Sequence, residues 1–205
     1  MPKCYTSGQI AKYALICNVL YGASLTKNGE DVTLNKNYYR DVAIYFSFDA
    51  NEQLFYENRF MLGCKRGVQN CFPYGAVGLE QILCCKIDKT DDTCFEKTVL
   101  WTPRWSTDPY IGGSNFFEYN NLIFSLARKN PNILFVLRPH PLMFGNFIKT
   151  GEMTEQDVKQ FKDYCQNENN IILDESKEYF NQFWNSDLLI TDASGIVPEY
   201  FVTGR

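Results

Sequence analysis

The chain has 205 residues, with 20 Lys plus Arg against 24 Asp plus Glu, for a net charge of −4 with histidine neutral. That balance argues against a protein that grips nucleic acid by bulk charge. With 45% hydrophobic and 21% charged residues, including 16 Phe, 13 Tyr and 3 Trp, the chain is expected to bury a sizeable core, as one large domain or two small ones, rather than stay disordered.

The N-terminal Met1-Pro2-Lys3-Cys4-Tyr5-Thr6-Ser7-Gly8-Gln9 lacks the basic start, apolar stretch and small-residue cleavage site of a secretory signal. The longest apolar run, Tyr13 to Tyr21, is interrupted by Asn18 and falls short of the roughly 20 residues that span a bilayer. A cytoplasmic chain is therefore expected. Its cysteines, Cys4, Cys17, Cys64, Cys71, Cys84, Cys85, Cys94 and Cys165, show no Cys-x-x-Cys pair, and the single histidine, His140, cannot complete a zinc set with them. They read as reduced thiols, and no metal or cofactor is expected.

Val42 to Phe48, a helical stretch from Asn51 to about Leu62, the apolar patch Cys71-Phe72 and a helix near Leu79 to Cys84 alternate in the manner of an α/β unit. Lys86 to Lys97 is rich in Asp, Lys and Thr, and marks the expected boundary between a region 1–92 and a domain 93–205. Beyond it the rhythm is clearer. Thr98 to Thr102 is β-rich and stopped by Pro103; after a loop holding Gly112 and Gly113, Tyr119, Leu122, Ile123, Leu126 and Ala127 repeat at helical spacing, with Ser114 or Asn115 as cap. Asn130-Pro131 ends that helix. Ile133 to Leu137 is the continuous apolar run of a parallel strand buried on both faces, ended by Pro139 and Pro141. Thr154 and Asp157 form a cap signal for a helix burying Val158, Phe161 and Cys165. Ile171 to Leu173, Ser176 to Trp184 and Leu188 to Thr191 predict strand, helix and strand, and a last helix runs from about Gly195 to Val202. Alternation of this kind implies a Rossmann-like parallel sheet with helices on both faces, whose ligands sit at the carboxyl ends of the strands.

Three such ends carry chemistry: Pro103-Arg104-Trp105, Arg138-Pro139-His140-Pro141, and the segment from Thr191 through Asp192, Ser194 and Gly195 to Glu199. Two arginines, a histidine and a helix N-terminus opening onto one crevice suit a diphosphate. Pro198 has no N–H and is tolerated only in a first helical turn, so the helix starts near Gly195, leaving the N–H groups of Gly195, Ile196 and Val197 without intrahelical partners. Glu199, one turn on, suits ribose hydroxyls. Structural roles fit the same residues: Asp192 and Ser194 as helix caps, Glu199 in solvent, His140 as a packed ring, Arg138 paired with a surface carboxylate, and Arg104 lying on Trp105 or Trp101. No Gly-x-Gly-x-x-Gly, Walker or Gly-x-Ser-x-Gly pattern occurs, which argues against a dinucleotide dehydrogenase, a P-loop kinase and a serine hydrolase.

Taken in order, Trp101-Thr102-Pro103-Arg104-Trp105, Arg138-Pro139-His140-Pro141 and the run from Ser186 to Phe201 (Ser-Asp-Leu-Leu-Ile-Thr-Asp-Ala-Ser-Gly-Ile-Val-Pro-Glu-Tyr-Phe) resemble the CDP-glycerol glycerophosphotransferase family, whose members build teichoic acid and related capsular polymers. The resemblance extends from about Val99 to Arg205; before it, only Tyr21-Gly22 and Phe72-Pro73-Tyr74-Gly75 match family patterns. It implies a GT-B fold of two Rossmann-like domains, a CDP-glycerol or related nucleotide-activated donor, and a polymer or lipid-linked acceptor at the inner face of the membrane. Arg104, Arg138 and His140 would then face the donor diphosphate, with His140 catalytic. Asp192, Ser194 and Gly195 would form the phosphate cradle, and Glu199 would mark the nucleoside side. Family members carry a second histidine near the acceptor, which this sequence lacks, and continue past the position of Arg205, so the chain is expected to be a partial or decayed transferase. A UDP-sugar enzyme of the same fold, epimerase or glycosyltransferase, since UDP-N-acetylglucosamine 2-epimerases carry a similar Thr-Asp-Ser-Gly-Gly then Glu-Glu segment, and a non-catalytic degenerate binding module are the alternatives.

Overall fold

The computed structural model describes residues 7–19, 37–87, 94–111 and 113–205. Tyr21-Gly22, Gly112, Cys4 and the middle of the Lys86–Lys97 stretch lie outside the described residues. The chain forms two compact units, Met1–Gln81 and Ile82–Arg205.

In the first unit, a short helix α1 (Ser7–Ile10) precedes β1 (Ile16–Val19). A 3-10 turn at Asn37–Asp41 leads into β2 (Val42–Ser47), followed by α2 (Ala50–Arg59), α3 (Met61–Lys65) and β3 (Asn70–Pro73). The three strands pair in parallel in the order β1-β2-β3. β1 falls inside the apolar run that the sequence suggested only as such. Tyr39, Val42, Tyr45, Tyr56 and Cys71 form the core, with the Tyr45 and Tyr56 rings stacked at 4.6 Å. Entry into α2 is fixed by local polar bonds. Asp49 accepts from Glu52 N at 2.8 Å, while Glu52 turns back to accept from Phe48 N at 2.6 Å and from the Tyr45 hydroxyl at 2.8 Å. The helix predicted over 51–62 breaks at Phe60 (φ −115°, ψ 33°), whose ring packs on Tyr56.

α4 (Val77–Cys84) carries the chain into the second unit. There β4 (Lys97–Thr102), α5 (Phe116–Lys129), β5 (Ile133–Leu137), α6 (Met143–Thr150), α7 (Glu155–Asn167), β6 (Ile171–Leu173), α8 (Phe180–Asn185), β7 (Leu188–Thr191) and α9 (Ile196–Phe201) build an α/β layer structure. All four strands are parallel, in the order β6-β5-β4-β7, with Trp101 opposite Leu137 on one side and Ile190 on the other. Side chains alternate across a strand. Val99, Trp101, Phe135, Leu137 and Ile171 face α5, α6 and α7 through Phe116, Ile123, Ala127, Met143, Phe147 and Cys165. Leu100 and Val136 point the other way, toward the face where α8 contacts β4 and α9 contacts β7. Phe183 and Tyr200 meet edge to face on that side, and Trp184 Nε1 donates to Ile82 O at 3.1 Å. Helices thus cover both faces of this sheet.

Three sequence expectations are corrected here. The sequence predicts no helix where α6 stands; that helix begins at Met143 with Leu142 as its cap, spaces Met143 and Phe147 four apart so that both are fully buried, and ends at Gly151 in the left-handed region (φ 79°). The helix expected from Ser176 starts only at Phe180, because Ser176 N donates to Asp174 and Ser176 Oγ to Glu178 O, bonds that compete with helical pairing. On α5, Ile123 and Ala127 are buried, but Tyr119, Leu122 and Leu126 are exposed, since the helix turns Phe116 inward instead.

Candidate functional site

A parallel sheet brings its carboxyl ends to one edge, so Pro103, Arg138, Asp174 and Asp192 each follow a strand there. The chain steps from β4 outward to β5 and β6, then returns to place β7 on the far side of β4. The order therefore reverses between β4 and β7, where an open α/β sheet presents its crevice.

Asp192 occupies that reversal. Its Oδ2 accepts from Arg104 N at 2.8 Å and from Ser114 Oγ at 3.4 Å; its Oδ1 accepts from Asn115 N at 3.1 Å and Asn115 Nδ2 at 2.9 Å. Asn115 stands at the start of α5, but its side chain is drawn to Asp192 and does not cap the helix; Ser114 Oγ accepts from Phe116 N instead. Arg104 Nη1 donates to Ala193 O at 2.5 Å, holding the guanidinium against the segment after β7. His140 N donates to Pro103 O at 3.3 Å, and its ring lies 6.4 Å from Trp105. His140 Nδ1 accepts from Leu142 N at 3.1 Å, which leaves the proton of the neutral ring on Nε2. Though its residue surface is largely exposed, partial enclosure of the imidazole and the neighbouring Arg104 cation lower its pKa below the ordinary histidine value.

α9 starts at Ile196, as Pro198 requires. Two of the three N–H groups expected to be without partners are engaged by Ser194: its Oγ accepts from Ile196 N and its carbonyl from Val197 N, both at 3.3 Å. At Gly195 a side chain would meet nothing within 4 Å, so open space faces its backbone. That openness suits the close approach of a ligand.

A second cluster forms around Arg138, whose side chain is 11% exposed. Nη1 pairs with Asp174 Oδ2 at 2.5 Å and donates to Ser176 Oγ at 3.1 Å, Nη2 donates to Ser176 O at 2.7 Å, and the guanidinium lies 5.7 Å from the Tyr179 ring. The carboxylate partner of Arg138 is thus buried. Burial pushes the Asp174 carboxyl up, but hydrogen bonds from Ser176 and the Arg138 contact outweigh it and hold the pKa below the usual range. Glu199 is half-buried and bonded by Tyr179; desolvation outweighs that bond and raises its pKa.

The structure therefore joins Arg104, His140, Asp192, Ala193 and Ser194 in one cluster, and Arg138 with Glu199, through Tyr179, in another. Asp174, Ser176, Tyr179 and Asn115 were missed from sequence. Asp174 was within reach, because it follows Leu173 as Asp192 follows Thr191; the other three gave no signal. Chemically the first cluster offers two donors, a guanidinium and a neutral imidazole with its proton on Nε2, which suits an anionic group. Among the described residues no set of three His, Cys, Asp or Glu side chains converges as a metal site, and no helix is long and apolar enough to cross a membrane.

No protein-family model matches the chain, and no curated protein matches it either. Among solved structures it is similar to the UDP-GlcNAc 2-epimerase of Neisseria meningitidis bound to UDP-GlcNAc, at 15% identity and a TM-score of 0.47 over 90% of this chain and 50% of that one. It is also similar to the wall teichoic acid polymerase TagF, at 17% identity and a TM-score of 0.43 over 92% of this chain and 43% of that one. A TagF variant soaked with CDPG gives 17% identity and a TM-score of 0.41, over 92% and 42%. The chain spans about half the length, or less, of these structures.

Proposed function

We propose that this chain carries the donor-binding part of a GT-B-type transferase that moves glycerol phosphate from CDP-glycerol to a hydroxyl of a cell-wall or capsular polymer, releasing CMP. Residues 93–205 are the donor domain in this reading and residues 1–92 an acceptor-side region; the acceptor is polymeric or lipid-linked, met at the inner face of the membrane. The acceptor hydroxyl gives its proton to solvent as its oxygen attacks the β-phosphorus, a new P–O bond forms, and the bond to the CMP phosphate breaks with its electron pair going to CMP. Negative charge grows on the departing phosphate. His140 is the catalytic residue, its Nε2–H donating a hydrogen bond to that phosphate, while Arg104 and the Ser194-Gly195 backbone lie along the diphosphate in a cradle that Asp192 holds in place, with Arg138 bracing the neighbouring strand end. Glu199 accepts from ribose hydroxyls.

The observation that carries this reading is that Arg104 and His140 stand together at the strand ends beside the reversal between β4 and β7, with the Arg104 guanidinium on Ala193 O, two residues before the open backbone at Gly195. Calorimetric titration with CDP-glycerol, CDP-ribitol and UDP-N-acetylglucosamine tests it. CDP-glycerol is expected to bind most tightly, and His140→Ala to weaken it about 10- to 150-fold, the equivalent of a hydrogen bond to a charged group, with the unfolding midpoint unchanged. Tighter binding of the UDP-sugar would overturn the transferase in favour of a UDP-sugar enzyme. Absence of binding by all three would leave a non-catalytic module.

A further inference from the structure

Asp192 presents about four lone-pair directions, and four donors take them: Arg104 N, Ser114 Oγ, Asn115 N and Asn115 Nδ2. These donors come from the two ends of the segment between β4 and α5, one residue past Pro103 and one before Phe116. The neck is closed further by Ser114 N donating to Ser106 O at 2.5 Å, and by Gly113, where an added side chain would come within 3.0 Å of Thr107 O. Asp192 does not serve the start of α9, where Gly195 is the cap and Ile196 N donates to Ser194 Oγ. A carboxylate with its acceptor sites filled has none left for a ligand donor, and its charge would repel a phosphate.

We propose that Asp192 is a positioning residue: its carboxylate pins both ends of the β4–α5 segment to the end of β7, and so sets where the Arg104 guanidinium stands beside His140. What the arrangement serves rests on the donor-binding reading above; the arrangement itself does not. Arg104 reaches its place by two routes that share one origin, its own N–H on Asp192 and its guanidinium on Ala193 O, the next residue along. Loss of the carboxylate frees the first route and loosens the second.

His140 is the only histidine, so one imidazole C–H resonance in a proton NMR titration reports this environment without assignment. Arg104→Ala is expected to raise the His140 pKa, since it removes a nearby cation. Asp192→Asn is expected to raise it as well, and in the Arg104→Ala background the same Asp192→Asn change is expected to cause no rise. Removing a carboxylate that acted only by its own charge moves an imidazole pKa down, so a fall, or no change, in Asp192→Asn overturns the proposal. Asn115→Ala leaves the Asp192 charge in place and removes one donor; it is expected to move His140 up by less, and serves if Asp192→Asn does not fold. No rise in Asn115→Ala under that circumstance overturns the proposal. In the same samples Asp192→Asn is expected to weaken CDP-glycerol binding about tenfold. If no variant, wild type included, binds CDP-glycerol while His140 shifts as described, the positioning role stands and the transferase reading falls.

Discussion

Removing the Arg138 guanidinium separates a ligand from a brace. Its side chain is 11% exposed and that of Asp174 8%, and three donor–acceptor contacts tie it to Asp174 and Ser176. In Arg138→Ala the Asp174 carboxylate keeps its bonds from Ser176, the N–H at 2.9 Å among them, but has no cation, inside a water-poor pocket. Breaking one side of a buried ion pair costs about 3–5 kcal/mol, against about 0–1 kcal/mol for a solvated one. For a chain of this size that corresponds to a fall in Tm on the order of 10 °C. Trp101, Trp105 and Trp184 all lie in the Ile82–Arg205 unit, so tryptophan fluorescence in urea follows that unit directly. The pH dependence carries a sign. In the wild type the Asp174 pKa is depressed, so its stabilisation is present above the unfolded carboxyl pKa and fades as pH falls through the lower folded value. In Arg138→Ala, burial without the cation raises that pKa, the buried charge costs stability at pH 7, and protonation relieves it as pH falls. The deficit of the variant should therefore be largest near neutrality and shrink toward pH 5, and adding Asp174→Asn should recover part of it at pH 7. A loss under about 1 kcal/mol with no pH dependence would show that Arg138 is not a brace.

Two further outcomes follow from single side chains. Glu199→Gln removes a carboxyl whose pKa burial raises; such a group adds stability as pH falls through its folded value and costs stability when ionised above it. The variant is expected to be at least as stable as the wild type at pH 8, with that advantage shrinking toward pH 5, and a greater loss at pH 8 than at pH 5 would contradict this. Thr154→Ala breaks the reciprocal cap in which Thr154 Oγ1 accepts from Asp157 N and Thr154 N donates to Asp157 Oδ2. About 1 kcal/mol should be lost in urea unfolding, with no change in the His140 titration.

The strands of the second unit are legible because they are short, apolar and ended by proline or by a polar residue, and β4, β5, β6 and β7 lie within a residue of their sequence bounds. Their parallel pairing follows from the intervening helices. The candidate site was legible as a set of strand ends, and as little more. Whether Arg138 points at a ligand or at Asp174 depends on β6 lying beside β5, a neighbour fixed by packing across the sheet. Likewise nothing near Asn115 signals that its amide will serve Asp192, 77 residues away, in preference to its own helix. α6 is not legible in the sequence because Pro139 and Pro141 read as strand terminators, and a helix begins two residues after the second.

The contacts that Asp192 makes with Arg104 and Asn115 span 88 and 77 residues, whereas β4, α5 and β5 are neighbours in sequence as well as in space. Closing so long a loop costs entropy that is offset only once β7 has found β4. The three-stranded part β6-β5-β4 is thus free to assemble early, and the site becomes competent last, when the final strand docks. Partly folded chains would then have a formed sheet and no Asp192 cluster, so the native His140 resonance should return during refolding later than the helical signal.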